Sequence, residues 1–95
     1  MALFSEQSMM TFEGEQYMGQ ENIYNKLSSF GQISHNVKQL DAQPTINDGI
    51  MVLITGELTI EGSENPMMFT EIFHLQQGGA QGYYVHNDIF RLNLS

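Results

Sequence analysis

A single short helix followed by a long, strongly twisted antiparallel meander, an α+β layout, is the fold this sequence predicts. Two observations carry the prediction. Ile23, Leu27 and Phe30 fall at i, i+4 and i+7, which lines one face of a helix. From Ile33 onward, long runs of strand character are separated only by short polar or glycine-bearing turns, and sequential strands joined that way pair antiparallel.

Each element follows in order. Ser8–Glu13 is a short apolar stretch, and Glu15–Met18 follows Gly14 as the second arm of a small hairpin. The helix opens near Gln20, and Gly31 supplies its stop. Ile33, His35, Val37, Gln39 and Asp41 alternate with Ser34, Asn36, Lys38 and Leu40, a mixed strand that ends at Pro44. Asn47-Asp48-Gly49 signals a turn. Ile50–Ile60, rich in β-branched residues, is expected to be a well-buried strand. Glu61–Pro66 is a polar loop, Met67–Gln77 a strand, Gly78-Gly79 a turn and Tyr83–Leu94 the last strand. One helix cannot cover such a sheet, so its open face should meet a further layer or a ligand.

Length and charge narrow the function. Ninety-five residues make one domain, spanning 1–95, with too little core for comfort, and no cysteine is present to staple it. Oligomerisation is the expected remedy, and the absence of cysteine suits a reducing compartment. The net charge of −8 leaves only Lys26, Lys38 and Arg91 as cations. So few cations argue against a nucleic acid or an anionic membrane as partner and favour a basic protein surface. No apolar run reaches the roughly 18 residues of a membrane span. The first residues show no basic n-region, so no signal peptide is expected.

Chemistry-bearing clusters are sparse. His35, His74 and His86 fit no metal-ligand spacing, and Gly78–Gly82 carries no basic residue to hold phosphate, so neither metal nor cofactor is expected. Met9, Met10, Met18, Met51, Met67 and Met68 suit a soft core or an adaptable surface. Strict alternation on the last strand puts Tyr84, His86, Asp88, Phe90 and Leu92 on one face, and Val85, Asn87, Ile89 and Arg91 on the other.

Leu40-Asp41-Ala42-Gln43-Pro44, Ile54-Thr55-Gly56-Glu57-Leu58 and Asn87-Asp88-Ile89-Phe90-Arg91-Leu92-Asn93 together resemble the nuclear transport factor 2 family. Met10-Thr11-Phe12-Glu13-Gly14 and Lys26-Leu27-Ser28-Ser29 add to the likeness, which covers essentially the whole chain in order. The resemblance implies a cone built on a strongly bent antiparallel sheet with a hydrophobic cavity. It also implies a non-catalytic homodimeric carrier that binds the small GTPase Ran in its GDP form and contacts FxFG nucleoporins. Such a carrier returns Ran to the nucleus, working in the cytoplasm, the nucleus and the nuclear pore complex. In the family an aromatic side chain of Ran enters the cavity, and acids on the rim pair with basic residues of Ran.

Carried over by position, Glu13 matches the rim carboxylate. Phe12, Phe30, Ile33 and Phe90 match the cavity wall, with His35 near the rim. Either Glu61 or Glu64 serves as a second rim acid, and Val85, Asn87 and Ile89 fall on the dimer-facing side. Matched to the family, the chain starts after two further helices that cover the sheet, so one helix remains and an open apolar patch is expected.

Two rival readings share the fold. The run Tyr84–Arg91 also resembles the dimerisation modules of stress-granule scaffolds, which bind Phe-containing peptides. The same cone hosts isomerases and dehydratases that use a cavity carboxylate, for which Asp88 is the candidate. Phe12-Glu13 and Gln43-Pro44 favour the carrier.

Overall fold

Turn chemistry sets the path of the chain. Glu13 and Gly14 both adopt positive φ (52° and 88°), which a tight two-residue hairpin requires, and β1 (Phe4–Phe12) folds back on β2 (Glu15–Met18). The helix α1 (Gln20–Ser28) starts after Gly19 and ends before Gly31, whose φ of 73° suits a glycine stop. The strand β3 (Ile33–Pro44) ends at its proline, and the Asn47-Asp48-Gly49 turn forms with Asn47 and Asp48 at positive φ. The strands β4 (Ile50–Ile60), β5 (Met67–Gly79) and β6 (Gly82–Leu92) complete the chain. The computed structural model describes residues 4–62, 64–79 and 82–92. The sequence places a turn at Gly78-Gly79, but β5 continues through both; the residues joining it to β6 lie outside the described ones, as do Ser63 and the expected end of the last strand at Leu94.

The six strands form one curved sheet in the order β2-β1-β6-β5-β4-β3. The strands β3 to β6 are the expected antiparallel meander. The pairing of β1 with β6 is parallel, so the sheet is mixed and not wholly antiparallel. The cause is topological. α1 and the turn after it carry the chain from β2 at one edge to β3 at the other. Three reversals then bring β6 alongside β1 pointing the same way.

Two bulges shift the faces that simple alternation predicts. Val37 pairs with Gly56 and Gln39 with Thr55, leaving Lys38 as the extra residue in β3, so Leu40 joins Ile33, His35 and Val37. In β6, Asn87 pairs with His74 and Val85 with Leu75, which makes His86 the extra residue. Val85 therefore shares the inner, helix-bearing face with Asp88 and Phe90, and Tyr84 moves to the outer face.

The core is the inner face of the central strands: Leu58, Phe69 and Phe90, packed on by Phe12, Ile33, Ile54, Ile60, Met67 and Leu92. β4 is less buried than expected. Only Gly56 and Leu58 are enclosed, while Met51 and Leu53 stand 45% and 38% exposed. The helix reaches only one end of the inner face, and among the described residues no layer covers the outer one. Gly56 is enclosed because β3 passes directly over it. A Cβ there would collide with the carbonyl oxygen of Asn36 and lie 3.0 Å from the Val37 Cα. Backbone cannot yield as a side-chain tip can. Gly56→Ala should therefore cost about 1–3 kcal/mol, read from denaturant unfolding; an unchanged midpoint would show that β3 shifts without penalty.

Candidate functional site

The parallel register sets Phe12 opposite Phe90, and their rings stack at 4.6 Å with 6° between planes. Phe69, on the neighbouring strand, continues the stack behind Phe90 at 5.6 Å. Phe30, which its spacing placed within the helix, stands two residues past the end of α1 and stacks on Phe12 at 5.0 Å. The Lys26 ammonium lies over Phe12, Tyr17 and Phe30 at 5.5, 5.6 and 5.1 Å, a cation held by three ring faces. Between these rings and the sheet is a cavity of about 120 Å³. Its lining comprises Met10, Phe12, Leu27, Phe30, Ile33, His35, Leu58, Ile60, Glu71, Phe90 and Leu92. Phe12 from β1, Phe30 from the turn after α1, Ile33 and His35 from β3, and Phe90 from β6 thus meet around one space.

Register gathers the acids as well. The ends of β1, β4 and β6 and the starts of β3 and β5 lie together, which puts Glu13, Glu61 and Glu64 at one end of the sheet. Glu13 accepts a hydrogen bond from the Leu92 amide, while its own amide donates to the Phe90 carbonyl at 3.1 Å. The Glu61 carboxylate accepts from the Gln32 amide at 3.2 Å. Both are therefore held in position by backbone, whereas Glu64 is exposed on its loop.

Sequence reasoning missed Glu71. Met67, Phe69, Glu71, Phe73 and Leu75 share the inner face of β5, and one acid among four apolar residues was the available signal. Glu71 lines the cavity and is hydrogen-bonded to Asp88, which is only 3% exposed. Burial, then the bond to Asp88 and its negative charge, push the Glu71 carboxyl up to about 10. Burial raises Asp88 too, opposed by the hydrogen bond it receives. At neutral pH Glu71 thus keeps its proton and hydrogen-bonds Asp88, whose Oδ1 is left without a partner. His86, which alternation put beside Asp88, instead meets Tyr84 at 3.0 Å and stands edge-on to His74 at 6.0 Å.

Folded Glu71 keeps a proton that the unfolded chain releases above about pH 4.5, so stability drains away as pH climbs from there toward 10. Glu71→Gln, which cannot ionise, should raise the melting temperature at pH 8 and change it little at pH 4.5. Parallel melting curves for the two proteins across that range would contradict the retained proton.

The three residues expected at the dimer face part company. Ile89 is 46% exposed on the outer face, in a row with Ile72 and Leu53 across β6, β5 and β4. Asn87 is on the same face, its Oδ1 3.1 Å from Nδ1 of His74. Val85 is buried on the inner face by the bulge, so it does not share the face that strict alternation assigned to it.

Among the described residues no three His, Asp or Glu side chains gather as metal ligands, and no helix is long and apolar enough to cross a membrane.

Comparison with known proteins bears on this geometry. The family model for the nuclear transport factor 2 (NTF2) domain matches residues 1–92. Nuclear transport factor 2 of Kluyveromyces lactis is 48% identical over 98% of this chain and 76% of its own length. The structure of nuclear transport factor 2 from Cryptosporidium parvum superimposes with a TM-score of 0.85 at 39% identity, covering 96% of this chain and 74% of that one. The yeast deubiquitinase Ubp3 and Bre5 cofactor complex also contains the fold, with a TM-score of 0.82 over 98% of this chain and 79% of its counterpart. At 19% identity that likeness concerns the fold alone.

Proposed function

The chain belongs to the nuclear transport factor 2 family, and from that premise we propose that it is a nuclear transport carrier for the GDP-bound form of Ran. The supporting observation is the cavity: a ring-sized apolar space with two backbone-anchored carboxylates and a third acid at the same end of the sheet. An aromatic side chain of Ran fits the space, and Glu13 with Glu61 or Glu64 faces the basic residues flanking it. The chain's charge of −8 steers such a partner and adds specificity more than raw affinity. Switch segments change order and position with the bound nucleotide, which gives the cavity a basis for selecting GDP. Contact with FxFG nucleoporins completes the proposed role, and the protein then moves between cytoplasm and nucleus through the nuclear pore complex. Its work is binding, with no reaction to catalyse.

The proposed carrier is a homodimer. The outer row Leu53, Ile72 and Ile89 supplies the apolar surface, and a two-fold contact buries such a patch against its own copy. Ile89→Glu should give monomers in sedimentation velocity; an intact dimer would place the interface elsewhere.

Calorimetric titration tests the carrier reading directly. The folded chain should bind Ran loaded with GDP and not Ran loaded with a GTP analogue. Glu13→Lys, checked by circular dichroism, should weaken that binding at least about tenfold, since it reverses one rim charge. Equal affinity for both nucleotide forms, or none for either from a folded chain, would sink the proposal.

A further inference from the structure

The outer face is not uniformly apolar. Beside the row of Leu53, Ile72 and Ile89 runs a second row, in which Met51, His74, Asn87 and Met9 pair across β4, β5, β6 and β1. His74 is in its middle, half-buried, with both ring nitrogens engaged. Nδ1 lies 3.1 Å from Oδ1 of Asn87, an acceptor, and Nε2 lies 2.8 Å from the Gln76 amide nitrogen, a donor. The Thr45 hydroxyl, 3.4 Å from Nε2, completes the set. A neutral imidazole with its proton on Nδ1 satisfies all of these partners. A second proton on Nε2 would set donor against donor.

Area brings this ring into the contact between copies. A stable interface covers about 800 Å² on each partner, far more than three side chains offer. The contact therefore spreads over the neighbouring rows, and the row of His74 is one of them. While neutral, its polar groups satisfy one another and a second copy can cover them. An imidazolium in the same place resists covering, because burial disfavours the charged form.

We propose that the homodimer is gated by pH through His74: the second copy covers the neutral ring and is released when the ring takes up a proton. The inference rests on the outer face being the contact between copies. Assembly holds the ring neutral, so association is full above the ordinary histidine range, near pH ~6.5, and is lost as pH falls below it.

Few ionisable groups face the ring. β6 brings His86, edge-on at 6.0 Å, and Tyr84, whose hydroxyl is 3.0 Å from Nδ1 of His86. The turn packed on β5 brings Asp48, and β1 brings Glu6, which shares a cleft with Tyr84. Asp41 is in the adjoining row and Arg91 is two rows away. Ordinary carboxyl and guanidinium groups keep their charge through the histidine range. Among the described residues the one ion pair joins Lys38 to Glu57, so no acid is seated against either imidazole. Glu71 and Asp88 point to the inner side.

Sedimentation velocity on a dilution series of the unmodified protein tests the gate. One proton taken up per protomer should weaken dimerisation about a hundredfold between pH 7.5 and 5.5. The direction is diagnostic. Acid also trims the net charge of −8, and weaker repulsion between copies would by itself strengthen association. His74→Gln keeps a donor and an acceptor but does not titrate, so its dissociation constant should stay within about threefold over that span. His86→Gln should retain the dependence. Equal constants at the two pH values in the unmodified protein would overturn the proposal, as would a dependence that survives His74→Gln. Circular dichroism should match at both values; a lost signal at the lower one would mean unfolding in place of release, and would overturn it too. The measurement on the unmodified protein decides even if His74→Gln fails to fold. A monomer at both values would sink the homodimer reading together with this inference, whereas a dimer of constant strength would sink this inference alone.

Discussion

Phe12 and Phe90 face each other across the parallel pairing of β1 and β6, ring on ring at 4.6 Å, and the cavity is arranged around that contact. Phe69 extends it into the core and Phe30 extends it toward the helix, so one stack ties three strands to α1. The stack depends on register. A slip of one residue would turn Phe12 to the outer face in place of Thr11 and leave the inner side without its central ring. Register is guarded at both ends of the pairing. Between Phe4 and Met9 the ladder is irregular, and there the buried Ser8 hydroxyl donates to the Val85 carbonyl while accepting from the Ser5 amide at 2.8 Å. At the other end Glu13 bonds β6 with both backbone and side chain. Glu13, the proposed rim acid, is thus also a fastener, which couples the position of its charge to the integrity of the ring stack.

A second constraint is the mismatch between six strands and one nine-residue helix. α1 covers the β1 end of the inner face, and Ile23 there is fully buried. Farther along, Val37 and Leu40 are 48% and 61% exposed on that same face. The outer face carries Met51, Leu53, Met68, Ile72 and Ile89 in the open. A sheet with apolar residues on both faces and a partial cover on one is built to be completed by other surfaces. The two faces differ in kind: the outer one offers an apolar row, the inner one a cavity at the end of the sheet where Glu13, Glu61 and Glu64 gather.

Most of the fold was legible because its turns announce themselves. Gly14, Gly31, Pro44 and Asn47-Asp48-Gly49 fix the ends of the elements between them, and β4 runs over the span its β-branched residues predict. What sequence alone could not give was the pairing partner of β1, since a parallel neighbour is decided by a contact some 78 residues apart and no local pattern encodes it. The bulges at Lys38 and His86 were equally silent: the first brings Leu40 to the inner face, and the second makes Val85 and Tyr84, just before it, exchange sides. The cavity wall was legible through the family motifs. Glu71 was not, because no motif contains it; its meaning appears only when Asp88, from the next strand, lies beside it.

Among the described residues, the strand β3 has a neighbouring strand on one side only, so alternate residues of its twelve turn their amides and carbonyls toward the far edge. Such an edge is a template on which another extended chain can grow, and a long, flat one invites fibrous self-association. Here the edge is spoiled midway. The extra residue at Lys38 breaks the regular spacing of its hydrogen-bonding groups, and the lysine, 3.3 Å from Glu57, brings a solvated charge to the place where a docking strand would have to lie flat. Pro44 removes a donor at the end of the edge. The residue that interrupts the alternation of β3 therefore also disfavours the addition of a further strand along the open margin of the sheet.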